Sequence, residues 1–347
     1  MKPDDFARFK VNNFDLIRLF AAVEVLIFHT FDRFQIAVPA WLEPLHMLTG
    51  VPIFFVVSGF LVSASYERSS SLSTYARARA LRIFPGLWAC VAITAIIAIA
   101  LGFPLIAPSG AIWFAAQLVG LIYTPGTLDD FGIGSYNGSL WTIPIELQFY
   151  IILPFLYAIT RRLKQPIVGW LVIFAVCLSA TLLLDLFFGR SADGDYHGVA
   201  KMLQYTFSRH VYLFVFGIIL QRTGIYKSKF IAGKALWWFV ILVAMDYIAP
   251  ESVIYKLFLG VFAISFAYTV THLGEKVIRG QDISYGIYIY HGLVINLLIE
   301  AGVRASALNV LYVAVIAICF AGLSWRFIEQ PAIRRKKRAN PMAAHVW

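Results

Sequence analysis

The sequence predicts an all-α fold, a polytopic membrane helix bundle, and three observations carry that prediction. Of 347 residues, 60% are hydrophobic and 14% charged, with mean hydropathy +0.75, whereas soluble domains run about 25% charged. Long apolar stretches recur from one end of the chain to the other. Lys and Arg gather in alternate connections, 23 of the 29 on one side, so the positive-inside rule places both termini in the cytoplasm. The formal net charge of +10 therefore reads as topology, which makes membrane lipid a partner and leaves no call for nucleic acid.

Taken in order, the apolar stretches fall at 14–31, 49–66, 80–101, 110–123, 143–160, 167–188, 208–222, 235–249, 254–273, 284–300 and 308–327. Two cytoplasmic ends require an even number of crossings. The stretch at 110–123 falls short of the roughly twenty residues that a span needs, and Pro104, Pro108, Gly110 and Pro125-Gly126 flank it. Read as a short re-entrant or interfacial helix, it leaves about ten transmembrane helices, with the basic clusters inside. No connection exceeds roughly twenty residues, too few to fold alone, so 1–333 form a single integral membrane domain. The basic stretch 334–347 is expected to be a disordered cytoplasmic tail. The N-terminal MKPDDFARFK lacks the form of a cleaved signal peptide, so the first helix is retained. Cys90, Cys177 and Cys319 fall within apolar spans as plain core residues; no metal-ligand spacing exists and no metal is expected.

The first stretch carries Arg18, Glu24 and His29. Ionisable groups at membrane depth cost several kcal/mol unless paired or hydrated, and they mark function. Eleven steps of about 100° bring Arg18 and His29 onto one face, about 16 Å apart. Glu24 is expected to pair with a neighbouring helix. The topology puts His29 toward the outer end, and Arg79-x-x-Arg82 at the cytoplasmic entry of the third helix. Two guanidiniums on one face can hold phosphate oxygens or serve as plain anchors. In SLWTIPIELQFY, Pro144 sits in the first turn, and Glu146 suits the positive end of the helix dipole. Glu146 also shares a face with Tyr150, at the outer depth of His29, where a carboxylate could orient the imidazole and raise its basicity. In SYGIYIYH, Ser284, Tyr288 and His291 share a face, with His291 about 10 Å inside the cytoplasmic boundary, as a structural or a functional histidine. Arg326 and Glu329 in RFIEQP read as an intrahelical ion pair.

The succession is distinctive: a helix-one Arg and an apolar run ending in His, then VPIFFVVSGFL, Arg-x-x-Arg, NGSLWTIPIE, SYGIYIYH and RFIEQP. From Phe14 to Pro331 it resembles the acyltransferase-3 family, integral membrane acyltransferases of bacterial surface glycans. The resemblance implies a ten-helix bundle in the bacterial cytoplasmic (inner) membrane. It implies a catalytic role for His29 and contact of Arg79 and Arg82 with an acyl-CoA co-substrate, most often acetyl-CoA. Arg18 matches the family's helix-one arginine, and Glu146 its acidic position after the SLW motif. Tyr288 and His291 join the donor-binding set, while Trp141, Tyr150 and Ser139 are oxyanion or acceptor candidates. The expected reaction moves an acyl group from cytoplasmic acyl-CoA to a hydroxyl of an extracytoplasmic glycan or glycolipid. His29 takes the hydroxyl proton or carries the acyl group, and Glu146 steadies the imidazolium. The acceptor is a carbohydrate or lipid-linked glycan, and a partner in glycan assembly stays open. The polar, aromatic loop 189–207 is expected to be external and to help choose the acceptor. A secondary transporter or flippase is the alternative, since it too lines a path with charges.

Overall fold

A computed structural model describes residues 11–187, 209–278 and 280–339, and among them it contains helices and no strand. The α-helices are α1 (Phe14–Arg33), α2 (Gly50–Arg68), α3 (Leu72–Ala100), α4 (Pro108–Leu118), α5 (Thr142–Thr160), α6 (Pro166–Phe187) and α7 (Val211–Arg222). They continue with α8 (Ala235–Ile248), α9 (Val253–Ala267), α10 (His272–Ile278), α11 (Ser284–Glu300), α12 (Asn309–Ser324) and α13 (Gln330–Ala339). The loop 189–207 lies outside the described residues.

Helix α1 packs against α2, α11 and α12, and α2 packs along α7. Two glycines permit that last approach. A Cβ on Gly59 would lie 2.0 Å from the Phe214 carbonyl oxygen, and one on Gly217 would lie 2.1 Å from that of Val56. Such small-residue contacts bring helix backbones together where lipid supplies no hydrophobic drive. The outer surface is apolar: α6 buries Gly169, Trp170 and Thr181 and exposes most of its other side chains. Leu236, Trp237 and Val240 of α8 point outward. A soluble protein rarely shows so much contiguous apolar surface.

Five described stretches are long and apolar enough to cross a membrane, or six if α9 and α10, bent by 82°, form one broken span. The expected ten crossings are therefore not established. Helices α7 and α8 have 12 and 14 residues, about 18–21 Å of rise against a hydrocarbon core of about 30 Å. Helix α1 is long enough but carries Asp15, Arg18 and Glu24 within it. Helix α4, of 11 residues, is as short as the re-entrant reading of 110–123 requires.

Asn13 secures the break between α9 and α10. Its Nδ2 donates to the carbonyls of Phe266, Thr269 and Val270, and its Oδ1 accepts from the Gly274 N–H. Carbonyls freed at a bend thus find a partner inside the protein, as buried backbone requires.

Three local expectations need correction. Helix α13 continues to Ala339, so 334–339 are helical rather than disordered, and 340–347 lie outside the described residues. Cys90 is buried, whereas Cys177 is half-buried and Cys319 exposed, because Cys319 falls on the outward side of α12. Glu329 does not pair with Arg326. The backbone from Trp325 to Glu329 winds as a π-helix, the buried Glu329 lies near Gly86 of α3, and its Oε1 accepts from Ser324 Oγ, at the end of α12, at 2.8 Å.

Candidate active site

Two cavities lie in succession along α1 and α11. The first is lined from α1 by Arg18, Ala21, Ala22 and Val25, and from α11 by Ser284, Tyr285 and Tyr288. Phe54 of α2 and Thr142, Ile143 and Glu146 of α5 complete much of its wall. The second is lined by His29 and Arg33 of α1, Gly292 and Asn296 of α11, and Gly138 and Ser139. His291 lies on α11 between the two sets, and its Nε2 is 3.0 Å from His29 Nδ1. The pair of imidazoles thus stands where one cavity ends and the next begins. Gly292 lets the turn at Gly138–Trp141 come close, since a Cβ there would meet Asn137 Oδ1 at 2.3 Å.

The structure separates residues that the sequence placed at one depth. Glu146 faces the cavity of Arg18, and its Oε1 accepts from the Tyr150 hydroxyl. His29 finds its partner in His291 instead. The reason lies in the connection before α5. Its Gly- and Asp-rich composition reads as an external loop, yet Leu128, Phe131, Tyr136 and Asn137 are buried. Asn296 holds this segment to α11, donating to the carbonyls of Ser135 and Tyr136 and accepting from the Ile133 N–H. The chain therefore reaches the level of His29 already at Ser139, and Glu146 lies further along, level with Arg18.

The three candidate donor-site arginines also divide. Arg82 Nη2 and Arg18 Nη1 both donate to Asp282 Oδ2, at 2.7 and 2.8 Å, while Ser284 Oγ donates to Oδ1 at 2.5 Å. Asp282 precedes α11; burial opposes its charge, but Arg18 and Arg82 hold its carboxyl well below the ordinary carboxylate range. Arg79, 9% exposed, forms no ion pair among the described residues. Its Nη2 donates to Ser65 Oγ at 3.3 Å, its guanidinium lies 5.6 Å from the Tyr150 ring centre, and its buried Nε is unpartnered. A buried cation without a counter-charge is costly and suits an anion.

The remaining candidates are spread along both cavities. Tyr288 lines the first, meets Thr142 Oγ1 at 2.8 Å and stacks on Phe54. Ser139 borders the second and donates to Asn137 Oδ1 at 2.5 Å. Trp141 packs its ring 5.5 Å from that of His210. Sequence reasoning missed Asp282, Asn296 and Asn137. Asp282 stands two residues before SYGIYIYH at a basic membrane boundary, a signal that could have found it. Glu24 meets its expectation of a partner on a neighbouring helix, since its Oε2 accepts from the Gly50 N–H at the start of α2, at 2.7 Å. No group of side chains suited to a metal ion occurs among the described residues.

The acyltransferase domain model of the acyltransferase-3 family matches residues 11–328. The chain belongs to this family. Nodulation protein 10 of Rhizobium leguminosarum bv. viciae is 32% identical, over 93% of both chains. The O-acetyl transferase of Shigella phage Sf6 is 27% identical over 94% of this chain and 97% of its own. Peptidoglycan O-acetyltransferase OatA of Listeria monocytogenes is 23% identical over 94% of this chain and 56% of its own. No solved structure gives a significant match. Membership in the acyltransferase-3 family makes the chain an acyltransferase and disfavours the transporter or flippase alternative.

Proposed function

We propose that the protein moves an acyl group, most often acetyl, from acyl-CoA on the cytoplasmic side to a hydroxyl of an extracytoplasmic glycan or glycolipid. The membrane is the bacterial cytoplasmic one, with both termini inside. The carrying observation is the succession of two cavities along α1 and α11, one beside the arginines and one beside His29. Relatives named for O-acetyl transfer, one of them onto peptidoglycan, support the acyl group and the acceptor class.

In this reading, donor phosphates neutralise Arg79 and engage the Arg18–Asp282–Arg82 cluster, whose fixed geometry suits forked contacts to phosphate oxygens. The thioester arm lies in the first cavity against Phe54 and Tyr288. The acceptor hydroxyl enters beside His29 and Ser139. His29 takes the hydroxyl proton as the oxygen attacks the thioester carbon, the new C–O bond forms, and the C–S bond breaks. The proton then passes to the departing thiolate, which completes the transfer. Glu146, on the wall of the first cavity, keeps that route polar and does not orient His29.

Binding of acetyl-CoA to the purified, detergent-solubilised protein tests the donor site. Arg79→Ala is expected to raise the apparent donor KM more than it lowers turnover, while His29→Ala leaves donor binding intact and abolishes transfer. Unchanged acetyl-CoA binding by a folded Arg79→Ala protein would remove Arg79 from the donor site.

A further inference from the structure

His291 is fully buried, and both of its ring nitrogens have partners. Its Nδ1 lies 3.2 Å from the Ile287 carbonyl oxygen. A carbonyl can only accept, so that nitrogen carries the hydrogen, and in the neutral ring Nε2 is left as an acceptor. Nε2 lies 3.0 Å from His29 Nδ1, which must therefore be the donor. The hydrogen of His29 is thereby held on Nδ1, and its Nε2 keeps the lone pair. Among the described residues that Nε2 has no hydrogen-bond partner, and His29 lines the second cavity.

We propose that His291 is a positioning residue for His29: it anchors on the Ile287 carbonyl, accepts the His29 Nδ1–H, and so fixes the tautomer and ring orientation in which His29 Nε2 acts as a base toward the second cavity. Which imidazole nitrogen carries the proton is set by the bond that the other makes. A serine-protease aspartate does the same for its histidine, and the wrong tautomer there costs about 10⁴-fold in turnover. Here the orienting group is a second imidazole, supplied by the helix that also lines both cavities. When Nε2 takes up the acceptor's proton, the Nδ1–H can shift to His291 Nε2, spreading the positive charge over two rings without a buried carboxylate. Tyr288 touches His291 edge-on, with ring centres 5.8 Å apart, and holds the second ring in place.

The inference rests on the reading of His29 as the base, and it competes with the assignment of His291 to donor binding. His291→Leu keeps bulk but cannot accept a hydrogen bond, whereas His291→Gln can. CoA release from acetyl-CoA, with a bacterial envelope glycan extract as acceptor, is measured beside ¹⁵N-histidine spectra of the full-length protein in lipid. His291→Leu, still folded by its thermal melt, is expected to lower kcat about 10–100-fold with little change in donor KM. His291→Gln is expected to recover most of that loss. The His29 signal, assigned by its disappearance in His29→Ala, is expected to show a single Nδ1–H tautomer that becomes a mixture in His291→Leu.

A rise in donor KM with kcat unchanged, or an unaltered His29 tautomer in His291→Leu, would overturn the positioning role. Full activity of His29→Ala would instead remove His29 as the base. The spectra decide the positioning question even then, so the two failures can be told apart.

Discussion

Asp282 sets where two of the three site arginines point. One carboxylate oxygen takes both Arg18 and Arg82, so removing it leaves two largely buried guanidiniums without their shared partner. Loss of one member of such a buried cluster costs about 3–5 kcal/mol. Asp282→Asn is therefore expected to lower the melting temperature clearly at pH 7. The sign with pH follows from the depressed native pKa. The contribution is fully present above the ordinary value of 3.8 and is lost as pH falls through the native value. The gap between wild type and Asp282→Asn should then be widest near neutrality and begin to narrow only as pH falls below about 4. Melting curves from pH 7 down to pH 3 check this, and a gap that stayed constant would contradict it. Arg79 stands apart because it forms no ion pair among the described residues, so its change to Ala should cost far less stability than Asp282→Asn.

At the scale of elements, helix periodicity was readable wherever both partners of a contact lay on one helix. Ser284, Tyr288 and His291 do share a face of α11, and the Glu146–Tyr150 contact is the i, i+4 pair that the spacing gives. Contacts between helices were less legible, because they depend on how far each connection penetrates the bundle. The segment from Gly126 to Ser139 looks like a solvent loop by composition, yet it packs inward through Leu128, Phe131 and Tyr136. That single difference moves Glu146 from the level of His29 to that of Arg18. The carboxylate shared by Arg18 and Arg82 was illegible for a similar reason, since the partner of Arg82 comes from a residue 200 positions away. Helix ends matter as much as faces. Asn13 satisfies three carbonyls at the bend after α9, and burial of unpaired backbone acceptors costs about 1–3 kcal/mol each. Asn13→Ala is expected to lower the melting temperature and to increase proteolysis near residues 268–274. Likewise Gly59→Val should prevent the close packing of α2 on α7 and abolish folded protein, as judged by size-exclusion chromatography.

At the scale of the whole molecule, the apolar exterior and the membrane class were evident from composition alone. The number of crossings was less so, because α1 hides a span-length helix behind its charged residues and several other helices fall short of a bilayer. The same α1 has a consequence for how the chain is made. Arg18 bonds Asp282 across 264 positions, and His29 meets His291 across 262. At about 5–20 residues per second of synthesis, α1 waits roughly 13–50 s in the membrane before either partner is made. During that interval an arginine and a histidine sit at a depth where unpaired ionisable groups cost several kcal/mol. Nascent chains halted near residue 270 should therefore be short-lived in pulse-chase experiments, and Arg18→Leu should lengthen their half-life even though it harms the finished protein. Equal half-lives would show that α1 needs no such rescue. The residues proposed to bind the donor and to move the proton would thus be those that leave the chain most exposed to quality-control proteases while it is being born.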